Sequence, residues 1–413
     1  MHTRRQILQG VAAAAMVSRM TTHEEEPLSR KVLLVDIDDL GWNDLLEAIS
    51  MGIAPQIDAM LSTGCVFTRF YAASLCSIFR ARALTGCESI RPQNYCGENV
   101  KFSGLQPHFP APVGPWITSG MSGYKVKRGK WHLGHSPEFP TNIVASGGFD
   151  EFSGTIANLN NAPGDDYFSW KRFVGTGGGW MQCTTFATNQ TTLEALADIG
   201  SGAEFVHVSY HAIHIPLDVY PPVDGQVQPP TSAPMKFHYL AHLDLRLGQL
   251  VSAAVAAGYV VLIACDNGSL DEGKGTYTEG GLNTPCWAVG PGVPVKTTTR
   301  LVQATDLFAT VRELRGCAPI VTPDAHSFAD EFGFIGSAAR AFVTCSSYPS
   351  VGEPPAPGTV TRCARDHRYK LLDDCGVESF FDLQNDPTEA SPITPTTQRE
   401  LAAYAALQAA LPA

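Results

Sequence analysis

The pattern of apolar and polar positions divides the chain into strands that alternate with helices. Lys31–Asp39 is a continuous apolar run rich in branched residues that ends in carboxylates, the pattern of a strand buried on both faces. Glu204–Tyr210 alternates as a strand, and Tyr259–Ala264 reads as a second buried strand that runs into Asp266-Asn267-Gly268. Helical spacing is found at Pro55–Leu61, through Ile57, Met60 and Leu61, and Val66-Phe67-Thr68 follows. Pro234–Gly258 carries Leu240, Leu243, Leu247, Leu250 and Val251 on one face, with Asp244, Arg246 and Gln249 off it, which predicts an amphipathic helix covering the sheet. Leu301–Arg315 is a further helix, through Asp306, Leu307, Val311 and Leu314. Tyr167–Thr191, rich in Gly, Thr, Asn and aromatics, reads as a long loop, and Gln226–Pro234 as another. Later the character changes: Pro349–Pro357 is a proline-rich linker, Arg368–Leu372 and Glu378–Leu383 are short strands, and Gln398–Leu411 is an alanine-rich helix. The expected fold is α/β, with a large domain over residues 28–330, a small α+β subdomain over 331–413, and no internal repeat.

Composition changes this picture little. The 413 residues are 44% hydrophobic and 17% charged, as in an ordinary globular protein. A net charge of −11 argues against a general nucleic-acid binder, so an anionic substrate needs a local cationic pocket. Eleven cysteines are scattered without a C-x-x-C pair or zinc spacing, and an odd number leaves at least one unpaired. Cys363 and Cys375 flank a segment with hairpin character and are the expected disulfide. Thr3–Leu8 resembles a twin-arginine export signal ahead of a short alanine-rich run, so residues 1–27 read as signal and linker. Periplasmic or extracellular export is the expectation, a cytoplasmic protein with a disordered N-terminus the alternative. No later stretch reaches the length of a membrane helix.

Candidate chemistry gathers at four places. Cys76–Gly86 puts a thiol four residues before Arg80 at the start of an apolar turn, so Cys76 sits at a helix N-terminus, a setting that favours an anion or a thiolate. A small buried cysteine beside a solvated arginine is the plain alternative. Asp38 and Asp39 project beyond a strand end, where open α/β sheets bind ligands, and two aspartates serve equally as caps of the next helix. Asp266 and Asn267 also follow a strand end, and the four together make an all-oxygen site suited to calcium or magnesium rather than zinc. Lys125, Lys127, Arg128, Lys130, His132 and His135 crowd a glycine-punctuated stretch that is either an anion clamp or a solvated basic loop. His207, His211 and His214 invite a metal reading, but a strand-to-loop passage offers no single face for all three, so His207 and His211 are taken as structural.

Several of these strings resemble the sulfatase family in family order over most of residues 31–390. Cys76, Arg80, Thr85 and Gly86 fall on the signature C-x-P-S-R-x-x-L-x-T-G, with Ile78 in place of proline, Phe79 in place of serine and Ala83 in place of leucine. Asp38-Asp39-Leu40-Gly41-Trp42, Gly129-Lys130-Trp131-His132-Leu133-Gly134, His214-x-Pro216-Leu217, and Asp266-Asn267-Gly268 with the Gly273–Gly281 block match further motifs. The resemblance implies an alkaline-phosphatase-like sandwich, with a large mixed, mostly parallel sheet between helices. It implies a divalent metal, Ca2+ or else Mg2+, held by Asp38, Asp39, Asp266, Asn267 and residue 76. It also implies a Cys76 converted to the catalytic formylglycine by a modifying enzyme, with Arg80, Lys130, His132, His214 and Lys274 around the sulfate. Hydrolysis of a carbohydrate or aryl sulfate is the expected activity. A phosphodiesterase or phosphonate hydrolase of the same superfamily is the enzymatic alternative, and a non-catalytic protein that binds sulfated glycans is the other, because Ile78 and Phe79 break the modification signature.

Overall fold

A computed structural model describes residues 29–91, 114–133, 147–159, 165–175, 179–349 and 354–412. The twin-arginine stretch and His135 lie outside these residues. Among the described residues eleven strands form one large sheet: β1 (Lys31–Ile37), β2 (Cys65–Tyr71), β3 (Lys125–Gly129), β4 (Glu151–Gly154), β5 (Trp170–Val174), β6 (Gly179–Cys183), β7 (Phe205–Ser209), β8 (Tyr259–Cys265), β9 (Asn283–Val289), β10 (Lys296–Thr298) and β11 (Val302–Gln303). Their order is β10-β2-β9-β8-β1-β7-β3-β4-β5-β6, with β11 on β2. The centre, β8-β1-β7-β3-β4, is parallel, as buried strands joined by helical crossovers require.

Helices cover both faces. Helix α1 (Trp42–Ser50), α2 (Pro55–Thr63), α4 (Ala187–Ser201) and α5 (Met235–Ala256) pack on the face carrying Leu33, Val35 and Ile37. Helix α3 (Cys76–Thr85) and α6 (Ala304–Leu314) pack on the opposite face, which carries Val32 and Leu34. A small antiparallel sheet follows, β12 (Val343–Ser347), β13 (Thr361–Arg365), β14 (Tyr369–Asp374) and β15 (Val377–Asp382), with α7 (Gln398–Ala410) against it. This is the expected layered α/β architecture with a small C-terminal α+β unit. The two parts share a core: Val343, Cys345 and Cys363 sit in the same apolar cluster as α3 and α6. Arg82 of α3 also donates to the Thr344 carbonyl and to Glu88, whose carboxylate accepts from Thr344 and Ser346.

Four expectations are corrected. Tyr167–Thr191 is not a loop: it holds the β5–β6 hairpin and the start of α4, and β6 went unrecognised because its side chains are mostly exposed and show no apolar alternation. Asp244 lies not on a solvated face but buried, where its carboxylate accepts the N–H groups of Gln56 and Ile57 and caps α2 across the interface. Cys363 and Cys375 are free thiols. Cys363 faces the core opposite Cys345 and Leu372, whereas Cys375 is exposed in the β14–β15 turn at φ 53°, so the hairpin register keeps them apart. The basic stretch is no single clamp, because Lys125–Gly129 is a central strand. Alternation sends Arg128 to Asp198 and Glu151 on the α4 side and Lys127 into the opposite face, and of the described members of the stretch only Lys130 and His132 reach the strand-end crevice.

Candidate active site

The crevice forms where the parallel strands end. Ile37 of β1 and Cys265 of β8 are register partners, so the next residues, Asp38 and Asp266, emerge side by side. Asp39 follows at φ 61°, a left-handed conformation uncommon for a residue with a Cβ, and its N–H donates to Asp266 Oδ1 at 3.1 Å. Asn267 Nδ2 donates to Asp39 Oδ1 at 2.7 Å. Asp38 Oδ1, Asp266 Oδ2 and Asn267 Oδ1 are buried without a hydrogen-bond partner. Unsatisfied buried acceptors converging in this way suit a hard cation, which accepts oxygen lone pairs and repays their desolvation. Oxygens of Asp38 and Asp266 and the sulfur of Cys76 lie within 4.8 Å of one another, as do ligand atoms of Asp38, Asp39 and His214.

Cys76 opens α3, whose N-cap residue Leu75 offers no side-chain oxygen to the first N–H groups, so the helix presents its positive end to residue 76. Its Sγ lies 3.1 Å from His132 Nδ1. Burial raises the thiol pKa, with Lys130 opposing and Asp38 reinforcing the shift. Ile78 and Phe79, which depart from the family signature, are fully buried; Phe79 meets Phe70 edge-on at 6.5 Å. Their apolar character serves the core beneath the helix.

Cations ring the carboxylates. Lys130 Nζ donates to Asp38 Oδ2, and Lys274 Nζ donates to both oxygens of Asp39, at 2.5 and 2.7 Å. Arg80 Nη2 stands 3.8 Å from Asp38 and 3.6 Å from Asp266. His214 Nε2 is 3.9 Å from Asp39, while its Nδ1 meets the Ile215 carbonyl at 2.7 Å. A carbonyl only accepts, so Nδ1 carries the proton and Nε2 of the neutral ring keeps its lone pair. Burial, then Lys130 and Arg80, hold His132 well below the usual imidazole range. Burial alone would raise Asp38, but Lys130, His214 and Arg80 outweigh it and hold the carboxyl low; Asp266 goes the other way, raised by burial and by Asp38.

Two glycines bring Lys130 here. Gly129 has φ 84°, and a Cβ on it would lie 2.1 Å from the Ser209 carbonyl oxygen; one on Gly154 would lie 1.9 Å from the Gly129 carbonyl oxygen. The strands therefore close on each other at the point where Lys130 N–H bonds to Ser209 O and His132 N–H to Ile156 O. The three histidines of the 207–214 stretch diverge: His207 turns to Asp36, His211 to Thr155 at 2.7 Å, and only His214 enters the crevice.

Residues 30–317 match the family model described as Sulfatase. The chain belongs to the sulfatase family. Among curated sulfatases it is 29% identical to N-acetylgalactosamine-6-sulfatase of Sus scrofa and 28% identical to arylsulfatase A of Homo sapiens, over 71% and 78% of this chain. It covers 63% of the first relative's length and 69% of the second's. The solved structure of a sulfatase from Pseudoalteromonas sp. shares the fold, with TM-score 0.70, 19% identity and coverage of 98% of this chain and 95% of that one. Every residue expected at the sulfatase site, Asp38, Asp39, Cys76, Arg80, Lys130, His132, His214, Lys274, Asp266 and Asn267, is brought to this crevice. Sequence reasoning missed Asp36 and Ser209 and read Lys127 as part of the basic cluster, whereas all three lie one layer beneath; the available signal at Asp36 was a charged residue inside a buried apolar strand.

Proposed function

We propose that this sulfatase-family chain hydrolyses a sulfate ester of a sugar or aryl alcohol. The observation that carries the reading is the convergence of Lys130, Lys274, Arg80 and His214 on a carboxylate cluster beside Cys76, a cationic pocket inside an acidic protein. The relatives' names, N-acetylgalactosamine-6-sulfatase among them, support a glycan substrate. Asp38, Asp39, Asp266 and Asn267 would hold a divalent cation, calcium in the first instance, which when bound polarises a sulfate oxygen. As formylglycine, residue 76 supplies one hydrate oxygen to attack sulfur and a second to release the sulfate afterwards.

The chain's own groups do the remaining work. His132, neutral and 3.1 Å from the side chain of residue 76, takes the proton from the attacking oxygen at Nδ1. Arg80 and Lys130 hold the nucleophile and the sulfate oxygens, where charge builds as the S–O bond to the alcohol breaks. His214 offers Nε2 to the leaving oxygen, and protonation there turns it into a donor placed between Asp39 and the alcohol, with Lys274 beside it.

Mass spectrometry of the tryptic peptide Phe70–Arg80 from protein made in its own host tests the nucleophile. An aldehyde at residue 76 supports the mechanism. An intact thiol overturns it and favours a protein that binds sulfated glycans. Activity on nitrophenyl sulfate against a nitrophenyl phosphodiester separates sulfatase from phosphodiesterase. Lys130→Ala is expected to lower nitrophenyl sulfate turnover by a factor on the order of 1,000 while the protein stays folded, and unchanged turnover would refute the sulfate pocket.

A further inference from the structure

Beneath the crevice lies a buried polar layer that the catalytic reading does not use. Alternation along β1 puts Val32, Leu34, Asp36 and then Asp38 on the α3 face, so Asp36 sits one step deeper than the crevice carboxylates. Register places Ser209 of β7 beside Asp36, and Lys127 of β3 beside His207 of β7. Asp36, Lys127, His207, Ser209 and Arg80 are each at most 1% exposed. Asp36 Oδ2 accepts from His207 Nε2 at 2.7 Å, from Ser209 Oγ at 2.7 Å and from Arg80 Nη1 at 3.4 Å. Lys127 Nζ donates to the same Ser209 hydroxyl and, at 3.3 Å, to the Arg128 carbonyl.

Among the described residues, Arg80 is the side chain that joins the layer to the crevice. Nη1 is forked between Asp36 and the Lys130 carbonyl, at 3.4 and 3.2 Å. Nη2 has no hydrogen-bond partner and stands between Asp38 and Asp266 in the crevice. A guanidinium presents its donors as a rigid planar fork, so fixing one arm from below fixes where the other arm aims. An apolar residue at 36 would continue the strand's run and avoid the desolvation of a buried charge. Three donors from two elements on one carboxylate oxygen are an arrangement that sets a position.

We propose that Asp36, braced by His207, Ser209 and Lys127, is the positioning residue for Arg80, locking one guanidinium arm so that the other faces the oxyanion above. This rests on reading the crevice as a sulfate-ester site. Asp36 touches neither substrate nor nucleophile and acts only through Arg80.

A double-mutant cycle tests it. Asp36→Asn, Arg80→Lys and the double variant are compared for nitrophenyl sulfate kinetics, inorganic sulfate affinity by calorimetry, and melting temperature. Asp36→Asn should lower kcat by about 10- to 100-fold with KM changed by less than about 3-fold, and should cost less than about 3-fold in kcat once Arg80 is lysine. Equal losses in both backgrounds, or losses that follow melting temperature, would overturn the proposal. If the wild type hydrolyses no sulfate ester, the functional reading fails, yet the positioning claim is still decided: sulfate affinity should fall in Asp36→Asn only where Arg80 is present. Should Asp36→Asn not fold, His207→Phe keeps a ring between Phe149 and Phe205 and removes one donor to Asp36. It should shift the same parameters in the same direction with the same dependence on Arg80, and a His207→Phe protein with wild-type kinetics and affinity would also overturn the proposal.

Discussion

At Ile78 and Phe79, just after Cys76, the sequence departs from its family, and the departures have a packing explanation. Phe79 is buried in the cluster that joins α3 to β2, and Ile78 lies beside it in the same core. Restoring the family serine by Phe79→Ser should therefore cost about 3 kcal/mol or more, from lost apolar burial and the cavity left behind, read as a lowered midpoint in urea unfolding. A variant as stable as wild type would show that this position is not filled for packing. Residue identity was legible wherever a string such as Gly129–Gly134 carried its own signature. It was not legible at Asp36 and Ser209, because a buried strand is recognised by its apolar majority and a polar residue within it has no partner until the sheet order is known.

At the scale of elements, the site depends on how closely three backbones approach. Gly129 and Gly154 let β3, β4 and β7 meet where the chain turns out toward Lys130 and His132. Gly129→Ala forces a Cβ against the Ser209 carbonyl oxygen and a side chain onto a positive φ. The expected result is about 2 to 3 kcal/mol of lost stability together with loss of sulfate-ester turnover, measured by thermal melts and nitrophenyl sulfate assays on one preparation. Full activity in a destabilised protein would separate the turn from the placement of Lys130. Long elements with strong periodicity, β1, β8 and α5, were legible in the sequence with nearly their observed limits. The β5–β6 hairpin was not, since an exposed edge strand has no apolar face to betray it.

At the scale of the molecule, the C-terminal sheet is structurally continuous with the large domain. Cys345 and Cys363 help to build the core around α3, and Lys370 is fully buried between Glu279 and Glu389, at 3.4 and 2.7 Å. Scanning calorimetry should accordingly give one cooperative transition for the whole chain; two resolved transitions would mean that the sheet folds apart from the rest. The small C-terminal sheet was legible from the change in character of the chain after the Leu301–Arg315 helix, where short strands follow. Their shared core was not, because it depends on side chains far apart in sequence meeting across β12 and α3.

That shared core also decides whether the two units can part. A wall that lends its side chains to the interior cannot swing, and β13–β15 border the Gly275–Thr278 turn beside Lys274 across a cavity of about 390 Å³. The join is consequently a welded seam and not a hinge, so the gap between the two units keeps one width. Loosening the join between the two units would melt the frame around α3 before it widened that gap.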